Sequence, residues 1–329
     1  MKNGRPITPY ENLRRAIAGN PLWTPSLSEF PSFSPRIIPD GVARGFVMEN
    51  SRFDPDTEAG GPDMFGVEWE WVPQVGGSMV RAEKEQLLTD ISDWEATLEF
   101  PDLDAWDWEG SAELNAGYIR DNQARKLWFQ TGLFERLISF LGFENAAVAL
   151  VYDEQKPYVH ALLDRVCALY EEIFERSVKH YGIEHIYFHD DWGGQNSPFF
   201  SEGTVREMLL PYVRRLASFA HERGLVFQLH SCGKIENFVP LMIEAGVDAW
   251  SGQAINDMHA VLEECAGRIL VDVNPGFEFG GIYTEDEAIG LTSKFLDEYS
   301  GFLDSVIFQD FIPLETPGEM VYRSTLKGC

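Results

Sequence analysis

The chain has 329 residues, 44% of them apolar, which is enough to bury a full core as one large domain or as two smaller ones. Asp and Glu outnumber Lys and Arg, and the formal net charge of −27 would repel phosphate backbones and anionic lipid headgroups. Of the two arrangements, we favour a single domain over residues 1–329. The negative charge argues against a nucleic-acid partner and against a membrane partner.

The amino-terminal sequence MKNGRPITPYENLRR has no apolar signal core, and no segment approaches the roughly 20 apolar residues of a membrane span. We expect a cytoplasmic protein. The cysteines are too sparse for a disulfide framework, so reduced thiols are expected. They are Cys167, Cys232, Cys265 and Cys329.

Residues 1–125 form the less regular part of the sequence, because Pro, Gly, Trp and acidic residues interrupt any periodicity. Stretches such as SRFDPDTEAGGPD and FPDLDAWDWEGSAE are typical of long functional loops, and we expect them to form a lid or rim. Two barrel strands are predicted here, near Arg44 to Met48 and Phe65 to Val72.

From residue 126 to residue 329, short apolar runs alternate with longer segments of helical period. The predicted strands are Lys126 to Gln130, His185 to His189, Leu225 to His230, Val247 to Ser251, Arg268 to Val273 and Ser305 to Gln309. Helices are predicted over Val159 to Lys179 and Thr204 to Arg223. This alternation indicates parallel strands joined by crossover helices, an α/β fold whose strands suit a closed barrel.

The strand LVFQLHSCG, residues 225–233, ends in His230 and Cys232. Residues two apart on a strand point the same way, so the imidazole and the thiol should project together from its carboxyl end. In β/α barrels function is built at that end. The pair suits Zn²⁺ and would need a third ligand. The competing interpretation is a chance pairing in which the cysteine is a small buried hydrophobe.

The strand ending at His189 continues as HDDWGGQNSPFFS, which places Asp190 and Asp191 beside it at the strand exit. We interpret these as catalytic candidates: a carboxylate facing the barrel mouth would be a metal ligand, general base or substrate anchor. His189 would donate to a metal-bound carboxylate or a substrate oxygen. The alternatives are a turn with helix-capping carboxylates and a satisfied core histidine.

The segment from HDDWGGQNSPFFS through LLPYVRRLASFAHERGLVFQLHSCGKIENFVPLMIEAGVDAWSGQ to DVNPG resembles the uroporphyrinogen decarboxylase superfamily, specifically its cobamide-dependent methyltransferase branch. The Asp-Asp-x-Gly turn, the His-x-Cys-Gly strand end and the later Asn-Pro occur in the order of that superfamily. The resemblance implies a (β/α)8 TIM barrel, here with an irregular amino-terminal extension and a loop-rich lid.

The resemblance also implies a zinc site. The methyltransferase branch binds zinc through His-x-Cys and a cysteine after the last strand, and His230 and Cys232 match the first two positions. In VIFQDFIPLETPGE, Asp310 stands where that cysteine is expected. Because Asp is a competent zinc ligand, we predict Asp310 as the third ligand, with Cys329 as the alternative if the chain end folds back.

The activity implied is transfer of a methyl group from a small methylated compound to the cobalt of a corrinoid carried by a separate partner protein. A carboxylate in place of a thiolate makes the metal harder, which favours an oxygen donor such as a methyl ether. Two further residues, Asn274 and Gln253, follow strands and would hydrogen-bond a ligand or cap loops. The sequence is compatible with a homo-oligomer.

Two other functions stay open at this point. One is a tetrapyrrole decarboxylase of the uroporphyrinogen type, in which Asp190 or Asp191 polarises a pyrrole-like substrate; the sequence lacks the arginine-rich amino-terminal motif of those enzymes. The other is a non-catalytic barrel that binds a corrinoid or another ligand, which Asp310 in place of a cysteine would allow.

Overall fold

The computed structural model of the protein describes residues 5–81, 86–118, 123–278 and 280–327. These residues form a seven-stranded sheet and a separate three-stranded sheet, surrounded by helices. Within them, no helix combines the length and the apolar character that a membrane crossing requires.

The strands are β1 (Ser32–Phe33), β2 (Gly61–Pro62), β3 (Glu68–Val72), β4 (Gly77–Val80), β5 (Lys126–Phe129), β6 (His185–His189), β7 (Val226–Ser231), β8 (Ala249–Gly252), β9 (Leu270–Val273) and β10 (Val306–Phe308). The helices are α1 (Pro9–Ile17), α2 (Pro39–Arg44), α3 (Pro55–Glu58), α4 (Trp94–Thr97), α5 (Trp108–Leu114), α6 (Leu133–Leu141), α7 (Phe143–Ala149), α8 (Lys156–Tyr181), α9 (Glu202–Met208), α10 (Leu210–Glu222), α11 (Val239–Glu244), α12 (Met258–Cys265), α13 (Glu285–Glu298) and α14 (Thr316–Thr325).

The large sheet has the order β1-β5-β6-β7-β8-β9-β10, and its neighbouring strands are parallel. A parallel bridge between Ser26 and Phe308 links the last strand to the segment just before the first. The backbone N–H of Phe308 also donates to the carbonyl of Pro25 at 2.8 Å. The sheet therefore curls back on itself, and the predicted α/β fold of TIM-barrel type is confirmed.

The elements predicted for the second half of the chain agree with the structure, with one refinement. The helix predicted over Thr204 to Arg223 is divided into α9 and α10 at Leu209. Pro211 lies in the first turn of α10 and has no backbone N–H to continue the hydrogen-bond ladder of the preceding helix.

Both barrel strands predicted in the first half are wrong. Residues 44–48 contain the end of α2 and the loop after it. The segment Phe65 to Val72 does contain a strand, β3, but that strand pairs antiparallel with β2 and β4 outside the barrel. The barrel strand of this region is β1, whose two residues are too few to give an alternating pattern.

Apolar side chains close the amino-terminal end of the barrel. This apolar plug consists of Leu13, Ala16, Phe30, Ala124, Val226, Ala249, Leu270 and Ile307. Three of its members, Val226, Ala249 and Leu270, are the first residues of their strands. Because this end is filled by side chains, a ligand would have to enter from the carboxyl ends of the strands.

A fully buried arginine connects the first helices to the barrel. The Arg136 guanidinium, on α6, is paired with the carboxylates of Asp40 on α2 and Asp63 before β3, the latter at 2.7 Å. Its Nε also donates to the hydroxyl of Tyr170 at 3.1 Å. A buried charge is tolerated when it is paired and hydrogen-bonded, so removing one partner leaves the others uncompensated.

We expect Arg136→Met to lower the free energy of unfolding by about 3–5 kcal/mol, because Asp40 and Asp63 would stay buried without a counter-ion. Urea denaturation followed by circular dichroism measures this. The matched control is Arg206→Met, which removes a surface arginine also paired with two carboxylates, those of Glu202 and Glu244. Equal losses in the two variants would contradict the prediction.

Candidate metal centre

Four side chains converge at the carboxyl ends of β6 and β7: His189, Asp191, His230 and Cys232. One possible ligand atom of each lies within 4.8 Å of those of the other three. Two of them, His230 and Cys232, are the predicted zinc ligands. The other two, His189 and Asp191, are predicted catalytic residues that the structure brings to the same place.

Strand pairing sets the positions of the two histidines. The last residue of β6, His189, is paired in register with His230 of β7. Their side chains leave the sheet on the same face, and the rings stack with centroids 4.4 Å apart and an angle of 23° between their planes. The register of these two strands therefore creates the histidine pair.

Two glycines bring the loops after β6 and β7 into contact. The backbone of Gly233 has φ +97°, a conformation that favours glycine, and a Cβ there would lie 2.2 Å from the backbone carbon of Gly193. This close approach lets the N–H of Cys232 donate to Oδ1 of Asp191 at 2.7 Å. The glycine contact thus holds the cysteine and the carboxylate together.

The cluster environment keeps the thiol protonated when no metal is bound. The Cys232 Sγ lies 3.4 Å from Nε2 of His230. Burial raises the pKa of the Cys232 thiol, and the negative charge of Asp191 raises it further. A metal that binds here would have to displace the thiol proton.

A buried carboxylate holds the first histidine. The Nδ1 atom of His189 lies 2.9 Å from Oε2 of Glu135, and Oε1 of the same carboxylate accepts from Nη2 of Arg44 at 2.7 Å. Burial would raise the pKa of Glu135, but Arg44 and His189 outweigh it and lower the pKa to about 2. Burial would lower the pKa of His189, but Asp191 and Glu135 outweigh it and raise it.

The turn between β5 and α6 places Glu135 beside the cluster. Thr131 adopts φ 64°, which is rare for a β-branched residue. A Cβ on the next residue, Gly132, would lie 2.4 Å from Cβ of Asp190. Neither Glu135 nor Arg44 was singled out from the sequence. The available signal was a charged pair, Glu135 and Arg136, inside the apolar run LWFQTGLFERLISFLGF.

The second histidine is held from the barrel interior. The Nδ1 atom of His230 lies 3.0 Å from the hydroxyl of Tyr187 and 3.4 Å from that of Ser251. Burial lowers the pKa of His230 well below its ordinary value, and the neighbouring His189 lowers it further. This imidazole is therefore neutral at physiological pH, the state that binds metals.

The donor set fits a zinc ion. Each histidine has Nδ1 engaged by a protein group, which leaves Nε2 directed to the cluster, as in many metal-binding histidines. Two imidazole nitrogens, a carboxylate oxygen and a sulfur are all ligand types that Zn²⁺ accepts.

The structure turns Asp190 away from the cluster. Its carboxylate accepts from the backbone N–H groups of Phe134 and Glu135, at 3.1 and 3.0 Å, and from Nε1 of Trp192 at 2.7 Å. Burial raises the pKa of Asp190 to about 7, and Glu135 adds to the shift. The helix-capping alternative accounts for these contacts, so they lend no support to the predicted catalytic role of Asp190.

Asp310 lies outside the four-residue cluster, which corrects its assignment as the third ligand. Its carboxylate accepts from the backbone N–H of Ser28 at 2.8 Å and from the Ser28 hydroxyl at 2.5 Å. It therefore fastens the segment before β1 to the end of β10. The alternative ligand, Cys329, lies outside the described residues.

The side-chain amides of Gln253 and Asn274, which we predicted to bind a ligand, form hydrogen bonds with the backbone of loops. Oε1 of Gln253 accepts from the N–H of Gly233 at 2.9 Å. The side chain of Asn274 accepts from the N–H groups of Gly276 and Phe277 and donates to the carbonyl of Phe277 at 2.8 Å. These contacts match the loop-capping alternative; Gln253 in addition supports the glycine next to Cys232.

The chain matches no protein-family model and no curated protein. Among solved structures it is similar to a methyltransferase from Methanosarcina mazei, with a TM-score of 0.60 and 13% identity over 96% of each chain. A 7,8-dihydropteroate synthase from Vibrio fischeri gives a TM-score of 0.30 at 16% identity, over 44% of this chain and 53% of that one. An intracellular xylanase from Thermoanaerobacterium saccharolyticum gives 0.36 at 11% identity, over 64% and 70%. At 13% identity, the first likeness establishes a shared fold.

We expect Glu135→Gln to lower the pKa of His189, because one of the negative charges that retain its proton would be lost. Nuclear magnetic resonance titration of the histidine ring protons in the metal-free protein measures the change. The control Glu298→Gln removes a glutamate that contacts a different histidine, His259, and should leave His189 unaffected. An unchanged or higher pKa of His189 in Glu135→Gln would contradict the expectation.

Proposed function

We propose that this protein is a zinc-dependent methyltransferase that moves a methyl group from a small methylated compound to the cobalt of a corrinoid held by a separate protein. The observation that carries the proposal is the cluster of His189, Asp191, His230 and Cys232 at the carboxyl ends of neighbouring barrel strands. In barrels of this type, that face is where catalytic groups are assembled.

Two likenesses point the proposal toward methyl transfer. One solved structure with a similar fold over 96% of each chain is a methyltransferase. The sequence segment from residue 189 to residue 276 resembles the cobamide-dependent methyltransferase branch of the uroporphyrinogen decarboxylase superfamily. Fold alone does not specify chemistry, so the donor atoms of the cluster are the main support for the proposal.

We assign His189, His230 and Cys232 as the zinc ligands. Both histidines have Nδ1 bound to a protein partner, so each has Nε2 free for the metal. The side chain of Asp191 is more exposed than that of His189, 29% against 9%. Catalytic zinc sites commonly keep one position for a substrate, and Asp191 would lie beside it.

The donor set contains a single sulfur atom. A metal with one thiolate ligand is harder than a metal with several, and a harder metal prefers an oxygen-containing methyl donor. When bound, zinc would supply Lewis acidity toward the departing oxygen of that donor. On the adjacent strand β5, the ring of Trp128 lies 6.2 Å from that of His189 and stacks on Tyr187 at 4.5 Å. An aromatic wall of this kind suits a flat donor such as an aryl methyl ether.

A buried amide next to the cluster is suited to hold the donor. Gln130 follows β5, where Phe129 is paired with Phe188, so Gln130 lies in line with His189. It is 2% exposed, and neither of its side-chain amide atoms has a hydrogen-bond partner among the described residues. Buried polar atoms are normally satisfied, so Gln130 is a candidate contact for a polar group of the substrate.

We expect the purified protein to bind about one equivalent of zinc through these residues. Replacing His189, His230 or Cys232 by Ala should weaken zinc binding by about 100-fold or more, whereas Asp191→Asn should lose less. Competition with a chromogenic chelator measures the affinities. The matched control is Cys265→Ala, which removes a buried cysteine on α12 outside the cluster. A wild-type protein without affinity for zinc would overturn the assignment.

We expect zinc-loaded protein to form methylcobalamin from reduced cobalamin and an aryl methyl ether, with the rate falling about 100-fold or more in Cys232→Ala. The absorbance change of the corrinoid follows the reaction. Cys265→Ala should retain the wild-type rate. The proposal would be wrong if no methyl ether of a panel gave methylcobalamin and the protein instead formed coproporphyrinogen from uroporphyrinogen. The decarboxylase function would then be the correct one.

A further inference from the structure

The middle of the barrel is polar, although barrel interiors are usually filled by branched apolar side chains. This polar layer, located between the apolar plug and the metal centre, consists of Lys126, His185, Gln228, Ser251 and Asp272. Each of these residues is at most 3% exposed. Burying so many polar groups is costly, so a functional reason for the layer is expected.

The polar layer is connected to the metal centre through Tyr187, and Ser251 of the layer also lies 3.4 Å from Nδ1 of His230. The Tyr187 hydroxyl lies 3.0 Å from Nδ1 of His230 and donates to Oγ of Ser251 at 2.9 Å. Tyr187 belongs to β6, His230 to β7 and Ser251 to β8. The link therefore crosses three adjacent strands. It starts at Nδ1 of His230, whereas Nε2 of the same ring is the atom near Cys232.

The link ends at a buried carboxylate. Trp250 of β8 is paired with Val271 of β9, so the next residues, Ser251 and Asp272, are neighbours that face the barrel interior. Neither carboxylate oxygen of Asp272 meets a donor in good hydrogen-bond geometry among the described residues. Burial raises the pKa of Asp272 to about 6, and the charge of Lys126 and the neighbouring side chains of Ser251, Gln228 and Gln309 oppose this rise. The hydroxyl hydrogen of Ser251 can rotate toward this carboxylate.

The carboxylate would give the link a direction. An ionised Asp272 only accepts hydrogen bonds, so a Ser251 hydroxyl turned toward it would donate to the carboxylate and accept from Tyr187. Tyr187 then accepts from Nδ1 of His230, which must carry the ring hydrogen. In that tautomer the lone pair is on Nε2, the atom that faces Cys232.

A lysine keeps the end of the link charged. The Nζ atom of Lys126 lies 4.9 Å from the ring centroid of Tyr187. Its positive charge opposes the effect of burial on the pKa of Asp272. In return, burial lowers the pKa of Lys126 to about 8, while Asp272 raises it. The opposite charges of the two buried groups therefore offset each other's burial.

We propose that Asp272 is a positioning residue of the metal centre, which acts through Ser251 and Tyr187 to hold His230 in the Nδ1–H tautomer with Nε2 free as a ligand. The inference rests on the proposed function for the metal itself. The tautomer can be measured without metal, and so the two can be tested separately.

The first test is the tautomer of His230 in metal-free protein, read from the ring nitrogen shifts in two-bond proton–nitrogen spectra. The chain has seven histidines, and the signal of His230 is identified as the one that is missing in His230→Gln. We expect the Nδ1–H form in the wild type and loss of that preference in Tyr187→Phe and in Asp272→Asn. Tyr187→Phe conserves volume and serves as the main variant if Asp272→Asn folds poorly. An unchanged tautomer in folded Tyr187→Phe overturns the proposal.

The second test is zinc affinity by chelator competition. We expect Tyr187→Phe to bind zinc about 10–100-fold more weakly, the usual effect of removing the partner of a metal-binding histidine. The matched control is Tyr212→Phe, because the Tyr212 hydroxyl lies 2.7 Å from Nδ1 of His160 between helices α8 and α10. It should bind zinc as the wild type does. Equal affinities of Tyr187→Phe and Tyr212→Phe overturn the positioning role.

The two tests separate the two proposals. If wild-type protein does not bind zinc, the metal assignment fails, and the tautomer spectra still decide whether Asp272 controls His230. If zinc binds through His230 and Cys232 but the tautomer and affinity do not depend on Tyr187, the metal assignment stands and the positioning role of Asp272 is overturned.

Discussion

The pairing of β6 with β7 is the constraint on which the candidate site depends. It aligns His189 with His230, whose rings stack at 4.4 Å. A shift of register by one residue would turn the side chains of β7 to the other face of the sheet, and the histidine pair would be lost. The contact between Gly193 and Gly233 extends this alignment into the loops and so places Cys232.

Two sets of buried opposite charges lie where they support the site. Arg44 is paired with Glu135, which in turn holds His189. On the other side of the cluster, Lys126 opposes the charge of Asp272 in the barrel interior. Because an isolated buried ion is very unfavourable, Glu135 and Asp272 need such partners to keep their charges.

The second half of the barrel was predictable because its short strands, rich in buried apolar residues, alternate regularly with segments of helical period. The first half was not. Its barrel strand β1 has two residues, and the clearer alternation of Glu68–Val72 belongs to a small antiparallel sheet. Periodicity reports that one face of a strand is buried, and it does not report which sheet the strand joins.

By itself, the sequence determined that His230 and Cys232 share one face at a strand end and that His189 leads into two carboxylates, because side-chain direction in a strand follows from local alternation. Only the tertiary structure decided what lies beyond the strand ends. Asp191 joins the cluster, and Asp310 binds Ser28, 282 positions away. The partner of His189, Glu135, is 54 positions from it in the chain. Such contacts depend on how loops and helices pack in three dimensions, which no local pattern encodes.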